Sequence, residues 1–203
     1  MKRKSGARTL LASVILSAPG PIVVGAGLLV GRSTTQLADF LRRTAELVAI
    51  IVSFAIYRVT HGGARADAAR KARLERIANR AVGAAMCLGG AAMLIVALFV
   101  GGGEKGNVIP GLVIAVLGVI TNSWFWIRYR ALDRAEADAI LAAQARLYRA
   151  KALVDGCVTT ALLAVAIAPD SAAARYMDIA GTAIVALYLF VSGLRVGIGA
   201  KES

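Results

Sequence analysis

Five charged side chains lie inside long apolar stretches of the sequence, where a membrane-spanning segment would meet lipid. They are Asp39, Arg42 and Glu46 in one stretch, and Lys151 and Asp155 in another. An ionisable side chain near the bilayer centre costs about 2.5–3.5 kcal/mol on insertion scales, so it is kept where it is paired or faces a polar path. These five residues are therefore the candidates for an ion or substrate pathway.

The spacing of these residues places a cation and an anion on one face of each helix. Arg42 and Glu46 are four residues apart, and so are Lys151 and Asp155. If the two faces meet, the opposite charges offset much of one another's desolvation cost. Three interpretations remain open: a transport site, a salt-bridge cluster that only fixes helix register, or a Lys151 side chain that extends to the membrane surface. Asp39 lies one turn earlier, near the outer end of its stretch, where it can contact water.

The composition is that of a membrane protein. The chain has 203 residues, is 58% hydrophobic and has a mean hydropathy of +0.69, whereas soluble domains are about 45–50% apolar. The net charge of +12 comes from basic residues at the ends of alternate apolar stretches, so it does not indicate nucleic-acid binding. Because no catalytic triad, phosphate loop or metal-hydrolase motif occurs, we expect neither an enzyme nor a cofactor.

Six apolar stretches, each near the roughly 20 residues that cross the hydrocarbon, predict an all-α bundle of six transmembrane helices. The predicted helices cover residues 9–30, 34–59, 77–100, 108–129, 148–168 and 179–198. Prolines in the first helix are tolerated where neighbouring helices satisfy the freed carbonyls. Residues 133–145 alternate charge and alanine and predict a helical extension. We expect a single domain over residues 1–203, without a soluble C-terminal domain.

The basic residues also predict the orientation. They are concentrated at both termini and in the second and fourth connections, whereas the first, third and fifth connections hold one basic residue each. The positive-inside rule then places both termini in the cytoplasm, in a protein of the cell (inner) membrane. Trp124, Trp126 and Tyr129 end the fourth predicted helix on the cytoplasmic side, where they indicate an interfacial aromatic belt.

The order and spacing of several short motifs resemble those of the cation diffusion facilitator family over nearly the whole chain. The similar segments are Ser33-Thr-Thr-Gln-Leu-Ala-Asp39 with Glu46 in helix two, Arg70-Lys-Ala-Arg-Leu-Glu75-Arg-Ile-Ala at the entry to helix three, Asn122 with Arg128-Tyr129 in helix four, Lys151-x-x-x-Asp155 in helix five, and Ser192-Gly-Leu-Arg195 at the end of helix six. The resemblance implies a six-helix transporter fold and a homodimer.

The resemblance also implies where a transport site would lie. The family's tetrahedral metal site, which suits Zn²⁺, falls here on Arg42, Glu46, Lys151 and Asp155. A metal ion binds deprotonated donors, whereas arginine and lysine are cations. We therefore expect a divergent, proton-coupled cation transporter without a metal site, in which Glu46 and Asp155 contact the cation or proton. The alternative is a transport-dead structural or partner subunit in which the four residues form a salt-bridge lock.

Overall fold

The computed structural model describes residues 3–30, 34–62, 67–99, 109–167 and 172–198, and these ranges are almost entirely helical. The helices within them are α1 (Arg3–Ser17), α2 (Pro19–Val30), α3 (Thr34–His61), α4 (Ala68–Phe99), α5 (Ile109–Glu136), α6 (Ala139–Ile167) and α7 (Ala172–Gly197). No strand occurs in the described part of the chain. The predicted all-α membrane bundle is confirmed.

The first predicted helix is divided into α1 and α2. Pro19 has no N–H group and takes the first position of α2, where an amide would have no partner within the helix. The N–H of Ala18 still donates to the carbonyl of Val14 at 3.0 Å, so the interruption is limited to one residue. Together α1 and α2 form one candidate membrane span, Ser5–Ala26.

The lengths and surfaces of the helices fit a bilayer. Four stretches are long and apolar enough to cross it: Ser5–Ala26, Ala68–Ile95, Leu112–Glu136 and Ala180–Gly197. Helices α3 and α6, which carry the five candidate charges, have 28 and 29 residues and are therefore also long enough to cross it. Large apolar side chains cover the outside of the bundle. Such a surface is unusual for a soluble monomer and typical of contact with lipid.

A helical extension at residues 133–145 is present, with a break at residues 137–138. Ala137 has a φ of 48°, which reverses the local path of the chain. The side chain of Asp138 then caps α6, because its Oδ1 accepts from the N–H groups of Ile140 at 2.9 Å and Leu141 at 3.1 Å. The fourth connection is therefore a tight turn between two long helices.

The helices pack mainly as neighbouring pairs, with α5 against α6, α4 against α7 and α3 against α4. The α4–α7 pair is especially close at Gly83 and Gly193. A Cβ atom on Gly83 would lie 2.5 Å from the Gly193 carbonyl oxygen, and one on Gly193 would lie 2.7 Å from the Gly83 oxygen. Only glycine permits this approach of two helix backbones.

An aromatic cluster of Phe125, Tyr129 and Tyr148 forms the core between α5 and α6. The Phe125 and Tyr148 rings lie 4.8 Å apart between centroids, and the Tyr129 and Tyr148 rings 5.4 Å apart. Tyr129 is fully buried, and its hydroxyl lies 2.7 Å from Ser13 Oγ in α1. The prediction that Tyr129 belongs to an interfacial belt is therefore wrong, because a hydroxyl partner inside the bundle lets the whole ring be buried.

Candidate functional site

Helix α3 carries a continuous network of ion pairs. Arg42 lies at its centre: Nη2 is 2.7 Å from Asp39 Oδ1, and Nη1 is 3.1 Å from Glu46 Oε1. Arg43 Nε lies 2.7 Å from the other oxygen of Asp39. These pairs form within one helix because residues three and four apart share a face. The Arg42 and Glu46 side chains are only 10% and 9% exposed, so both charges depend on ion pairs inside the protein.

Lys151 of α6 joins this network across the helix interface. Its Nζ lies 3.4 Å from Glu46 Oε2 and 5.0 Å from the ring centroid of Tyr148. The Lys151 side chain is 14% exposed. The charged faces of α3 and α6 thus meet, and the interpretation in which Lys151 extends to the membrane surface is wrong, because Glu46 and the Tyr148 ring hold it inside.

Asp155 has a different environment from the other carboxylates. Asn122 of α5 donates from Nδ2 to Asp155 Oδ2 at 2.6 Å. None of the salt bridges among the described residues involves Asp155. Gly118, one turn before Asn122, makes room for this carboxylate, because a Cβ atom there would collide with Asp155 Oδ2. Asp155 is therefore held by a neutral amide and not by its i, i+4 neighbour Lys151.

All five predicted site residues line one cavity of about 850 Å³. Its walls come from α1 and α2, the N-terminal half of α3, and the facing parts of α4 to α7. The cavity lies in the half of the bundle opposite the Asp138 turn. The structure thus brings the candidate residues together around a space large enough for a ligand.

Sequence reasoning missed one site residue and undervalued another. The missed residue is Arg43, which forms a second ion pair with Asp39. Its position four residues after Asp39 could have predicted this contact. Asn122 belongs to a motif that resembles the family, but its contact with Asp155 depends on the packing of α5 on α6.

The described residues do not form a conventional metal site. No group of three or more His, Cys, Asp or Glu side chains that could hold a metal ion occurs in the described part of the chain. His61, the single histidine of the sequence, lies at the other end of α3. Its Nε2 is 3.2 Å from Asp138 Oδ2, and its ring stacks on Tyr57 with centroids 4.1 Å apart. His61 therefore serves the contact between α3 and the α5–α6 turn.

A membrane-crossing helical bundle with ionisable residues buried around an internal cavity is typical of ion transport proteins. The comparison with protein families gives the same class: the cation efflux transmembrane domain matches residues 10–201. The chain therefore belongs to the cation efflux family of cation transporters, and the resemblance seen in its motifs is confirmed. No curated protein matches the chain.

Proposed function

We propose that this protein is a proton-coupled secondary transporter that moves a cation through the α3–α6 cavity. The observation that carries the proposal is Asp155, a carboxylate without a salt bridge among the described residues, on the wall of a cavity of about 850 Å³. Such a group can hold either a proton or a cation. Arg42 and Lys151 stand where the family has metal ligands, and act as tethered positive charges.

Lys151 can form an ion pair with either of two carboxylates, and this choice can distinguish two states of the site. It contacts Glu46 in α3, but it also lies four residues before Asp155 on the same helix face. When a cation or proton leaves Asp155, the Lys151 ammonium can turn towards that carboxylate. When a cation returns, Lys151 is displaced towards Glu46. A transporter requires two such states that differ in their contacts with the substrate.

Flux measurements in proteoliposomes test this function. We expect the parent protein to move protons in response to a gradient of at least one cation in a panel of monovalent and divalent ions. Asp155→Asn should abolish this flux and keep the unfolding temperature close to that of the parent. Asp67→Asn is the matched control, since Asp67 is exposed at the start of α4 and does not line the cavity. Equal flux in Asp155→Asn and the parent would exclude the proposal.

The ion pairs of α3 favour a second function, that of a transport-dead partner subunit. Asp39 and Glu46 are each held by two cations, which is what a permanent salt-bridge lock in a partner subunit would show. The lock predicts no cation-dependent proton flux in the parent protein. A transporter predicts flux in the parent.

We further propose that the chain works as a single domain over residues 1–203, as a homodimer in the cell (inner) membrane with both termini in the cytoplasm. The alternation of basic connections supports the orientation, and the family supports the membrane location. Single cysteines introduced at positions 3 and 201 in a Cys87→Ala/Cys157→Ala background test the topology. Labelling of either one from outside intact cells by an impermeant reagent would overturn it, and crosslinking in membranes tests the dimer.

A further inference from the structure

The cavity is lined by charged side chains of α3 and α6 and, past Asp155 on α6, by apolar side chains. On α6, Val158 and Leu162 follow Asp155 at i+3 and i+7, so the three residues form one stripe along the helix. At 1.5 Å per residue this stripe is about 10 Å long. On the facing helix α5, Ala115 and Ile114 line the same part of the cavity. A ligand bound to Asp155 would therefore have an apolar channel beside it.

The charges around the cavity leave one carboxylate for a ligand. Each of the other two acidic groups, Asp39 and Glu46, already contacts two basic side chains. Asp155 accepts a hydrogen bond from the neutral amide of Asn122, and no salt bridge among the described residues occupies it. One carboxylate matches one positive charge, whereas a divalent ion prefers several charged or oxygen ligands.

The volume of the cavity also exceeds what an inorganic ion needs. Sites for small organic ligands are about 300–1,000 Å³ and mostly apolar, with a few placed polar groups. The cavity of about 850 Å³ falls in this range. A bare ion at Asp155 would fill only a small part of this volume.

Part of the cavity wall is exposed and apolar on the outside of the bundle, and we call this part its lipid-facing mouth. Three of the residues that line the cavity are strongly exposed: Val23 of α2 is 69% exposed, and Ile114 and Leu117 of α5 are 64% and 57% exposed. An apolar molecule dissolved in the bilayer can therefore reach the cavity between α2 and α5 without crossing water.

We infer that the cavity binds a monovalent organic cation, a protonated amine with an apolar tail. Its ammonium group lies at Asp155, and its tail follows Val158 and Leu162 towards the lipid-facing mouth. The length of this stripe suits an extended chain of about eight carbon atoms, since each bond of an extended chain advances it by about 1.25 Å. This inference rests on the proposed function, because it names the substrate class of the same site.

Calorimetric titration of the protein in lipid nanodiscs with butyl-, hexyl- and octylammonium tests the inference, with empty nanodiscs subtracted. We expect affinity to rise about fourfold for each added methylene group, as burial of a CH₂ group predicts. Hexan-1-ol, which has the same tail without the charge, should bind at least tenfold more weakly than hexylammonium. Equal binding of the alcohol and the amine, or affinity independent of tail length, would overturn the inference.

Two variants separate the charge from the tail. Asp155→Asn should weaken hexylammonium binding at least tenfold, while the control Asp67→Asn leaves it unchanged. Leu162→Ala keeps the carboxylate, so it should weaken octylammonium binding several-fold and leave methylammonium binding unchanged. If Asp155→Asn does not fold, the Leu162→Ala comparison still decides: equal losses for both amines would contradict a tail site along α6.

The flux assay distinguishes failure of this inference from failure of the proposed function. If an inorganic cation drives Asp155-dependent proton flux and hexylammonium does not compete with it, the transport function holds and the organic-cation site is wrong. If hexylammonium binds in an Asp155-dependent manner and no cation produces flux, the binding site holds and the transport function is wrong.

Discussion

Replacing Glu46 by glutamine tests the ion-pair network at its interhelical contact. Glu46 accepts from Arg42 within α3 at 3.1 Å and from Lys151 of α6 at 3.4 Å. Glu46→Gln removes the charge from both contacts. Arg42 keeps Asp39 at 2.7 Å, whereas Lys151, only 14% exposed, loses its carboxylate partner. The cost of the substitution therefore arises mainly at Lys151.

The magnitudes follow from which charges stay paired. Removing one partner of a buried ion pair lowers the free energy of unfolding by about 3–5 kcal/mol. For Glu46→Gln we expect the lower end of this range, because Arg42 remains paired with Asp39. Lys151→Gln alone should cost about 1.5 kcal/mol, since Glu46 keeps Arg42. The double variant removes both ends of the contact and should cost about 3 kcal/mol, less than the two single costs together. The coupling energy is then about 1–2 kcal/mol, near the upper end for polar contacts inside membranes.

Reversible unfolding in mixed micelles, followed by circular dichroism, measures all four proteins of this double-mutant cycle. The i, i+4 pair Lys71–Glu75 at the start of α4 provides the matched control. Its atoms are 3.6 Å apart and its side chains are 44% and 21% exposed, so Lys71→Gln and Glu75→Gln should couple by only about 0.3–0.5 kcal/mol. If the Glu46–Lys151 coupling is no larger than that of the control pair, the charged faces of α3 and α6 do not act together.

Two further substitutions test the geometry around Asp155. Gly118→Ala should displace the Asp155 carboxylate from Asn122 and cost about 1–3 kcal/mol of stability together with cation flux. Gly156→Ala is its control, since a Cβ atom there meets nothing within 4 Å, and it should unfold at the same temperature as the parent or higher. Equal effects of the two alanines would show that Gly118 does not make room for Asp155. Zn²⁺ should not bind the purified protein with micromolar or tighter affinity, because Arg42 and Lys151 replace deprotonated donors. Calorimetry that finds such binding, and its loss in Asp155→Ala, would contradict this expectation.

The features that depend on local sequence were predictable. Apolar length predicted the helical membrane bundle, and the four-residue spacing of Arg42 and Glu46 placed them on one face, because helix geometry alone determines which residues are neighbours. The cap at Asp138 was also readable, since an aspartate directly before an apolar helical stretch is a common helix start. The turn itself was not predictable from the sequence, because position 137 is an alanine, and not the glycine or proline that usually marks a turn.

The features that depend on packing between helices were not predictable. Lys151 has one carboxylate four residues away on its own helix and another across the interface, and local spacing cannot choose between them. The choice depends on the rotation of α6, which places Asp155 against Gly118 and Asn122 of α5 and leaves Lys151 facing Glu46. Tyr129 illustrates the same limit, because only its contact with Ser13 of α1 shows that it belongs to the core.

If the site exchanges a proton for a cation, as we propose, the charge balance around the cavity favours a monovalent cation. Without a ligand, the charged side chains that line the cavity sum to no net charge when all six are ionised. The three basic ones are Arg42, Arg43 and Lys151, and the three carboxylates are Asp39, Glu46 and Asp155. A proton or a monovalent cation at Asp155 raises this charge by one, whereas a divalent ion raises it by two beside cations that repel it. Exchange of one proton for one monovalent cation therefore leaves the loaded site with the same charge in both directions of the cycle. A proton-for-divalent exchange would change that charge at each turn, and the residues that line this cavity provide no second unpaired carboxylate to compensate for it.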